Sequence, residues 1–285
     1  MKHLSKVIAV FLLVMIGYSQ DSLSSKAFDK TIDIGDYGLR INCSGISIEG
    51  SPTVILEAGL NQGSDTWNRV QPEVAKFARV CSYDRAGIGK SDQPQQQPRT
   101  SQQIVNDLHL LLEKAGVAPP FVLVGHSFGG LNVRLYASLF SKEVIGLVLI
   151  DSVHEEETEK WLELVPSKIR KQMEAERGRR LLGGETVDLE KSLQQMKAAK
   201  WHTSVPVIVL ARGRASFSPD DYPPLLRSLA PKGEELRIEM QKDLAIRSRN
   251  GKLLFAEKSG HFIQQDEPKL VVDSIRQVIT STGLR

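Results

Sequence analysis

Eight short runs of apolar and β-branched residues, separated in places by segments with helical spacing, constrain the fold of this chain most strongly. Strands that alternate with helices favour a parallel sheet with helices on both faces, because each parallel connection must cross over the sheet. The sequence therefore predicts an α/β fold with a mostly parallel, eight-stranded sheet. The predicted strands are residues 31–34, 39–43, 53–56, 78–83, 121–124, 145–150, 205–210 and 253–256.

Three segments carry the apolar spacing of helices that pack on a sheet. The first spans residues 101–115, with Thr100 or Ser101 as its cap. The second follows the glycines at 129–130, where leucines recur every fourth residue. The third opens at Pro268, near the end of the chain.

The segment 154–202 interrupts the alternation, since it is rich in charged residues, Leu and Gln and has no strand pattern. Its spacing predicts two or three amphipathic helices. A long helical insertion between two core strands is typical of an active-site lid, although a solvated helical excursion has the same composition. The predicted organisation is a core of residues 21–153 and 203–285 with a cap at 154–202.

Residues 1–20 have the pattern of a signal peptide. Lys2 and Lys6 precede an apolar run at 7–17, and small residues follow it. That run is shorter than the roughly 20 residues that span a bilayer as a helix. We therefore expect export to the periplasm or the medium, cleavage near Ser19 or Gln20, and no stable membrane anchor in the mature protein.

Charge and cysteine content limit the partners of the protein. The 37 basic and 34 acidic residues are interspersed, with no basic arm, so a nucleic-acid partner is not expected. Cys43 and Cys81 both fall in strand-like runs. In an oxidising compartment they could pair, and as buried small side chains they could equally remain free thiols.

The segment Gly125-His126-Ser127-Phe128-Gly129 matches the G-x-S-x-G nucleophile motif. The pentapeptide alone has little specificity. The flanking sequence makes the match much more specific, because the apolar run FVLV precedes the motif and the helical segment LNVRLYASLF follows it. A strand that ends in such a strained turn lifts the serine hydroxyl above the sheet. Ser127 is therefore the candidate nucleophile.

A serine hydroxyl needs a nearby base to become nucleophilic at neutral pH. His261 is the candidate general base, because it follows the last predicted strand and Gly260 frees its loop to reach over the serine. The other five histidines lie in the leader, in a predicted helix, inside the motif or at the margins of the predicted cap.

These motifs together resemble the α/β-hydrolase superfamily over nearly the whole mature chain. The segment Ser82 to Ser91 is similar to the family's Tyr-Asp-x-x-Gly-x-Gly-x-Ser turn, which is generally structural. One departure is that the usual His-Gly after the third strand is replaced by Glu57-Ala58-Gly59-Leu60. The resemblance implies an α/β-hydrolase fold with a helical cap.

The resemblance also implies an oxyanion hole and a catalytic acid. The oxyanion donors would be the backbone N–H groups of Leu60 and Phe128, and Glu57 would be an acceptor that orients their loop. The acid follows the seventh strand in most relatives, where this chain has no carboxylate before Asp220 and Asp221. In some relatives it follows the sixth strand, where Asp151 stands, and Asp151 is our preferred candidate.

A serine nucleophile disfavours epoxide hydrolysis and dehalogenation, for which the family uses an aspartate. We expect cleavage of a carboxylic ester, or a related acyl bond, of a small-molecule substrate through an acyl-enzyme on Ser127, without cofactor or metal. The alternatives are a non-catalytic small-molecule binding protein of the same fold and a peptidase or amidase. Fold alone does not decide among them.

Overall fold

Eight strands form a single sheet in the order β1-β2-β4-β3-β5-β6-β7-β8 within the described residues. The structure is a computed structural model that describes residues 27–48, 50–171, 185–215 and 226–283. The predicted α/β class and the eight predicted strands are confirmed, with ends that differ by a few residues. The strands are β1 Phe28–Asp33, β2 Gly38–Ser44, β3 Thr53–Glu57, β4 Arg79–Tyr83, β5 Phe121–His126, β6 Val144–Ile150, β7 Val207–Arg212 and β8 Gly251–Ala256.

Strand direction places one set of loops at a common edge of the sheet. β2 pairs antiparallel with both β1 and β4, and every other pair in the sheet is parallel. Only β2 therefore runs against the rest. The carboxyl ends of β3, β5, β6, β7 and β8 meet at one edge, which is where open α/β sheets bind ligands.

Helices cover both faces of this sheet, and the three predicted ones are present as α2 (Ser101–Lys114), α3 (Phe128–Leu139) and α8 (Pro268–Ser281). Thr100 caps α2 with a capping box in which its side chain accepts from the Gln103 N–H. The helices with described bounds are α1 Gln71–Val74, α2 Ser101–Lys114, α3 Phe128–Leu139, α4 Glu157–Leu164, α5 Leu189–Ala199, α6 Ala230–Ile246, α7 Ile263–Asp266 and α8 Pro268–Ser281. Of these, α4 and α5 lie in the predicted cap segment.

The alternating side chains of the strands build a core on each face of the sheet. On one face, Ile55 and Leu123 pack with Leu108 of α2 and Leu131 of α3. On the other, the strands contribute a row of valines and isoleucines that packs on α1 and α8. Burial of the strands on both faces explains why they read as continuous apolar runs.

Cys43 and Cys81 face each other across β2 and β4 and form a disulfide. Both side chains are buried. The sequence left open whether they pair, and their opposed register resolves that alternative in favour of the bridge.

The predicted leader, residues 1–20, lies outside the described residues. Across the described ranges, no helix combines the length and the apolar content needed to cross a bilayer.

Candidate active site

Ser127 is the single residue between β5 and α3. Its backbone, at φ 53° and ψ −119°, lies in a region that costs a residue with a side chain about 1–3 kcal/mol. The turn needs space around it: a Cβ on Gly125 would lie 2.5 Å from the Gly129 carbonyl oxygen, and one on Gly129 would lie 2.5 Å from the Ala58 carbonyl oxygen. The motif therefore requires glycine at both positions, because no side chain fits where the turn folds back on the helix.

His261 and Asp151 form a hydrogen-bonded pair at the same edge of the sheet. Asp151 follows β6 directly, and His261 lies in the loop between β8 and α7. His261 Nδ1 is 2.7 Å from Asp151 Oδ2, and the Asp151 side chain is only 1% exposed. Because an ionised carboxylate only accepts, Nδ1 carries the hydrogen. The Nε2 lone pair of the neutral ring is then available to act as a base.

The backbone holds Asp151 in a tight turn of its own. Its φ is 39°, and its N–H donates to the Leu210 carbonyl at the end of β7, at 2.7 Å. The competing candidates, Asp220 and Asp221, lie outside the described residues. Within the described residues, Asp151 is the acid that the structure brings to His261 Nδ1.

Two arginines flank the Asp151 carboxylate. Arg212, the last residue of β7, donates to Oδ2 at 2.8 Å, and Arg237 of α6 donates to Oδ1 at 3.0 Å. Glu234 accepts from both guanidinium groups and so fixes their spacing. Burial opposes ionisation here, but the His261 hydrogen bond and the two cations lower the pKa of Asp151 to about 2. The acid is therefore charged across the ordinary pH range.

Sequence reasoning missed both arginines. Arg212 is the last residue of the seventh strand, after which most relatives carry the acid. The available signal was therefore a cation near the place where a carboxylate is expected. Arg237 gave no signal, because only the packing of α6 over β7 brings it to Asp151.

His126, dismissed as a base because it lies inside the nucleophile motif, joins two parts of the site. Its Nε2 donates to the His261 carbonyl oxygen at 2.9 Å, and its Nδ1 lies 2.9 Å from Gln62 Oε1. Burial, with a smaller contribution from the charge that His261 can carry, lowers the pKa of His126 to about 3. A neutral His126 has one N–H, and its bond to the His261 carbonyl ties the nucleophile turn to the loop of His261, while Nδ1 lies beside the loop that follows β3.

The two predicted oxyanion donors belong to neighbouring segments. Phe128 is the first residue of α3, and the N–H groups of a helix's first turn have no carbonyl within the helix to bind. Leu60 lies in the loop after β3, which packs so closely on the nucleophile turn that Gly129 has no room for a Cβ beside the Ala58 carbonyl. The two segments that carry the expected oxyanion donors are therefore in contact.

Glu57, the first residue of the segment that replaces the usual His-Gly, is fully buried at the end of β3. Its carboxylate accepts from Tyr83 Oη, from Arg85 Nη1 at 2.8 Å and from Asn132 Nδ2 at 3.2 Å. Three donors therefore converge on the Glu57 carboxylate, whose side chain is shielded from solvent. Its interpretation as an acceptor that supports the loop agrees with these contacts.

Comparisons with known proteins agree with this architecture. The uncharacterized protein YqjL of Bacillus subtilis (strain 168) is 29% identical over 220 residues, which are 77% of this chain and 80% of YqjL. An AB hydrolase superfamily protein of Gibberella zeae is 33% identical over 107 residues, 36% of this chain and 33% of that protein. The chain therefore spans most of YqjL and about a third of the fungal relative.

A solved structure described as a serine hydrolase involved in carbazole degradation, the CarC enzyme, has a similar fold. It superposes with a TM-score of 0.59 at 15% identity, and the match covers 89% of this chain and 99% of the CarC chain. At this identity the likeness shows the fold. The sequence profile of the alpha/beta hydrolase fold matches residues 52–207, more than half of the chain. This chain is a hydrolase-fold protein that belongs to the α/β-hydrolase family.

Proposed function

We propose that the protein is a serine hydrolase that cleaves a carboxylic ester through an acyl-enzyme on Ser127. The observation that carries this proposal is the 2.7 Å hydrogen bond from His261 Nδ1 to Asp151. The bond fixes the ring tautomer that leaves Nε2 free as a base. The His261 carbonyl also accepts a hydrogen bond from His126, the residue that precedes the strained Ser127. A serine, a base and an orienting acid are the minimum set for covalent acyl transfer.

In the first half of the reaction, Ser127 Oγ attacks the ester carbonyl carbon while its proton passes to His261 Nε2. The carbonyl π electrons move to oxygen, and the N–H groups of Leu60 and Phe128 stabilise that oxyanion. When the intermediate collapses, the bond to the alcohol oxygen breaks. The alcohol leaves with the proton from His261, and the acyl group remains on Ser127.

In the second half, water takes the place of the alcohol. His261 Nε2 accepts a proton from water as its oxygen attacks the acyl carbon, and the same proton returns to Ser127 Oγ when the acyl bond breaks. The products are the carboxylic acid and the free enzyme. Asp151 stays ionised throughout and stabilises the imidazolium that forms twice in each cycle.

The test is turnover of p-nitrophenyl esters with acyl chains of graded length. We expect saturable hydrolysis by the wild type and a loss of at least about 10³-fold in kcat for Ser127→Ala. The matched control is Ser138→Ala, since Ser138 lies later on α3 and its hydroxyl bonds the Arg134 carbonyl. If the protein hydrolyses peptides or amides but not esters, the result would favour the alternative hypothesis of a peptidase or amidase.

The alternative hypothesis of a non-catalytic binding protein predicts a different result in the same assay. It would show no hydrolysis of any acyl substrate, and Ser127→Ala would leave ligand affinity unchanged. A histidine held by a buried carboxylate, in a chain whose candidate nucleophile occupies a strained turn, favours the enzyme.

We also propose that the protein is exported. Disulfides persist in oxidising compartments, and the buried Cys43–Cys81 bridge supports that location together with the sequence of residues 1–20. Cell fractionation and N-terminal mass spectrometry test this. We expect a mature chain that begins close to residue 20 outside the cytoplasm, whereas an intact Met1 on a cytoplasmic protein would contradict it.

A further inference from the structure

Arg85 is a buried cation that belongs to a sequence motif generally regarded as structural. It lies in the turn after β4, and its side chain is 3% exposed. Its guanidinium group has five N–H donors in a planar fork. The structure gives each of them an acceptor, and the acceptors belong to the loop after β3 and to the predicted cap segment.

Two of the five donors hold the backbone of the loop that carries Leu60. Nη1 donates to the Ala58 carbonyl at 2.7 Å, and Nη2 donates to the Gly59 carbonyl at 2.6 Å. A third donor, also on Nη1, reaches Glu57 Oε1 at 2.8 Å. Arg85 therefore donates hydrogen bonds to three consecutive residues, at the end of β3 and in the loop that follows. The next residue is Leu60, the proposed oxyanion donor.

The hydrogen bond from Arg85 to the Gly59 carbonyl fixes the direction of the Leu60 N–H. In a planar trans peptide the carbonyl and the following N–H point to opposite sides, so a carbonyl held towards Arg85 turns the Leu60 N–H away from it. The Gly59 carbonyl also accepts from the Gln62 N–H at 3.1 Å, which closes a turn over residues 59–62. The Leu60 N–H takes no part in that hydrogen bond. A cation on the carbonyl further polarises the peptide and strengthens its N–H as a donor.

The remaining two donors connect Arg85 to the predicted cap. Nε and Nη2 form a bidentate ion pair with Glu185, at 2.6 and 2.7 Å. Glu185 also contacts the loop itself, because its carboxylate accepts from the Asn61 N–H at 3.2 Å and its own N–H donates to Asn61 Oδ1 at 3.0 Å. Glu185 thus joins the cap segment to the same turn that contains Leu60.

We infer that Arg85 is a positioning residue for the oxyanion hole. Glu185 holds the Arg85 guanidinium in place from the cap segment, so the position of the Leu60 N–H also depends on the contact between the cap segment and this loop. The inference rests on the proposed acyl-enzyme mechanism. Arg85 acts through the Gly59–Leu60 peptide and does not touch the substrate. Its effect should therefore fall on the transition state, in which the oxyanion exists, more than on substrate binding.

The experiment compares Arg85→Met, Arg85→Lys and Glu185→Gln with the wild type in ester hydrolysis. Each preparation is titrated with a fluorophosphonate so that kcat refers to reactive Ser127 sites, and thermal stability is measured alongside. For Arg85→Met we expect kcat per titrated site to fall by about 10- to 100-fold with KM changed less than about threefold. Lysine keeps the charge but loses the fork, so Arg85→Lys should fall between Arg85→Met and the wild type.

Arg99→Met is the matched control. Arg99 is also a buried arginine beside the cap segment, where its backbone N–H donates to the Thr186 carbonyl at 2.8 Å, but its guanidinium binds Tyr37 and Asp107. We expect this variant to lose thermal stability and to keep its kcat per titrated site. A trifluoromethyl ketone, whose hemiketal on Ser127 carries an oxyanion, should bind Arg85→Met more weakly by the factor lost in kcat/KM.

A purely structural Arg85 would lower stability and leave kcat per titrated site within about twofold of the control, and that result would overturn the inference. If Arg85→Met does not fold, the inference is tested with Arg85→Lys and Glu185→Gln instead. For these two variants we expect kcat per titrated site to fall by at least about threefold. Wild-type turnover that Ser127→Ala abolishes establishes the proposed function separately. An unaffected Arg85 series would then count against this inference alone.

Discussion

His261 Nδ1 donates to Asp151 Oδ2 at 2.7 Å, although 110 positions separate the two residues in the chain. The pair meets because β6 and β8 both end at the carboxyl edge of the sheet, with β7 between them. In this chain β7 supplies a cation, Arg212, at the point where its neighbour β6 supplies the acid.

The first prediction concerns turnover. Asp151→Asn should lower kcat/KM for an ester on the order of 10⁴-fold, because an amide can hold the imidazole in the wrong tautomer. The matched control is Asp243→Asn, since Asp243 forms a similar bond with His154, at 2.9 Å, on the packed surfaces of the predicted cap and α6. Steady-state kinetics should show near-normal turnover for the control. Equal losses in both variants would indicate a general structural defect.

The second prediction concerns stability in acid. The pKa of Asp151 is lowered from 3.8 to about 2 in the folded protein, so its ionisation stabilises the fold above pH 3.8, and this contribution is lost as the pH falls towards 2. It amounts to about 2 kcal/mol. Between pH 4.5 and 2, denaturant titrations should therefore show the wild type losing about 2 kcal/mol more than Asp151→Asn. Parallel losses in the two proteins would contradict the electrostatic role of Arg212 and Arg237.

The third prediction concerns His126 in a higher pH window. Its folded pKa is about 3 against an ordinary value of 6.5, so the unfolded chain binds the proton more readily and the fold loses stability as the pH falls below 6.5. Between pH 7 and 4.5 this should cost the wild type about 3 kcal/mol. His126→Gln should show a correspondingly smaller decline, whereas His202→Gln, at an exposed position, should behave as the wild type. An unchanged decline in His126→Gln would refute the assignment.

The fourth prediction concerns strain at the nucleophile. A glycine at φ 53° avoids the cost that a Cβ incurs there. Ser127→Gly should therefore be more stable than Ser127→Ala by about 1 kcal/mol, after allowance for the greater freedom of glycine in the unfolded chain. Both variants should be inactive, so equilibrium unfolding in urea is the measurement. Equal stability would mean that the turn stores little strain.

The sequence predicted the strands well because their burial on both faces leaves continuous apolar runs such as those of β5 and β6. Helix α6, Ala230–Ile246, was not predicted. Its buried side chains include Arg237 and Gln241 as well as Met240 and Leu244, so no clean apolar stripe marks it. A helix that packs through polar side chains carries little periodic signal.

The candidate site divides in the same way. Ser127 and His261 could be predicted because a local turn and a loop after the last strand position them. Asp151 could only be preferred, since the choice depended on the absence of a carboxylate at the end of β7. Arg212, Arg237 and the contacts of Arg85 depend on how distant elements pack, and no local pattern encodes those contacts.

The central claim, covalent catalysis by Ser127, is tested most directly by trapping the intermediate. The protein is incubated with a slowly hydrolysed activated ester, quenched in acid and analysed by intact-mass and peptide mass spectrometry. We predict one acyl group for each molecule, on the peptide that contains Ser127, and none on Ser127→Ala. Ester turnover with no adduct on Ser127, or an equal adduct on Ser127→Ala, would contradict the claim.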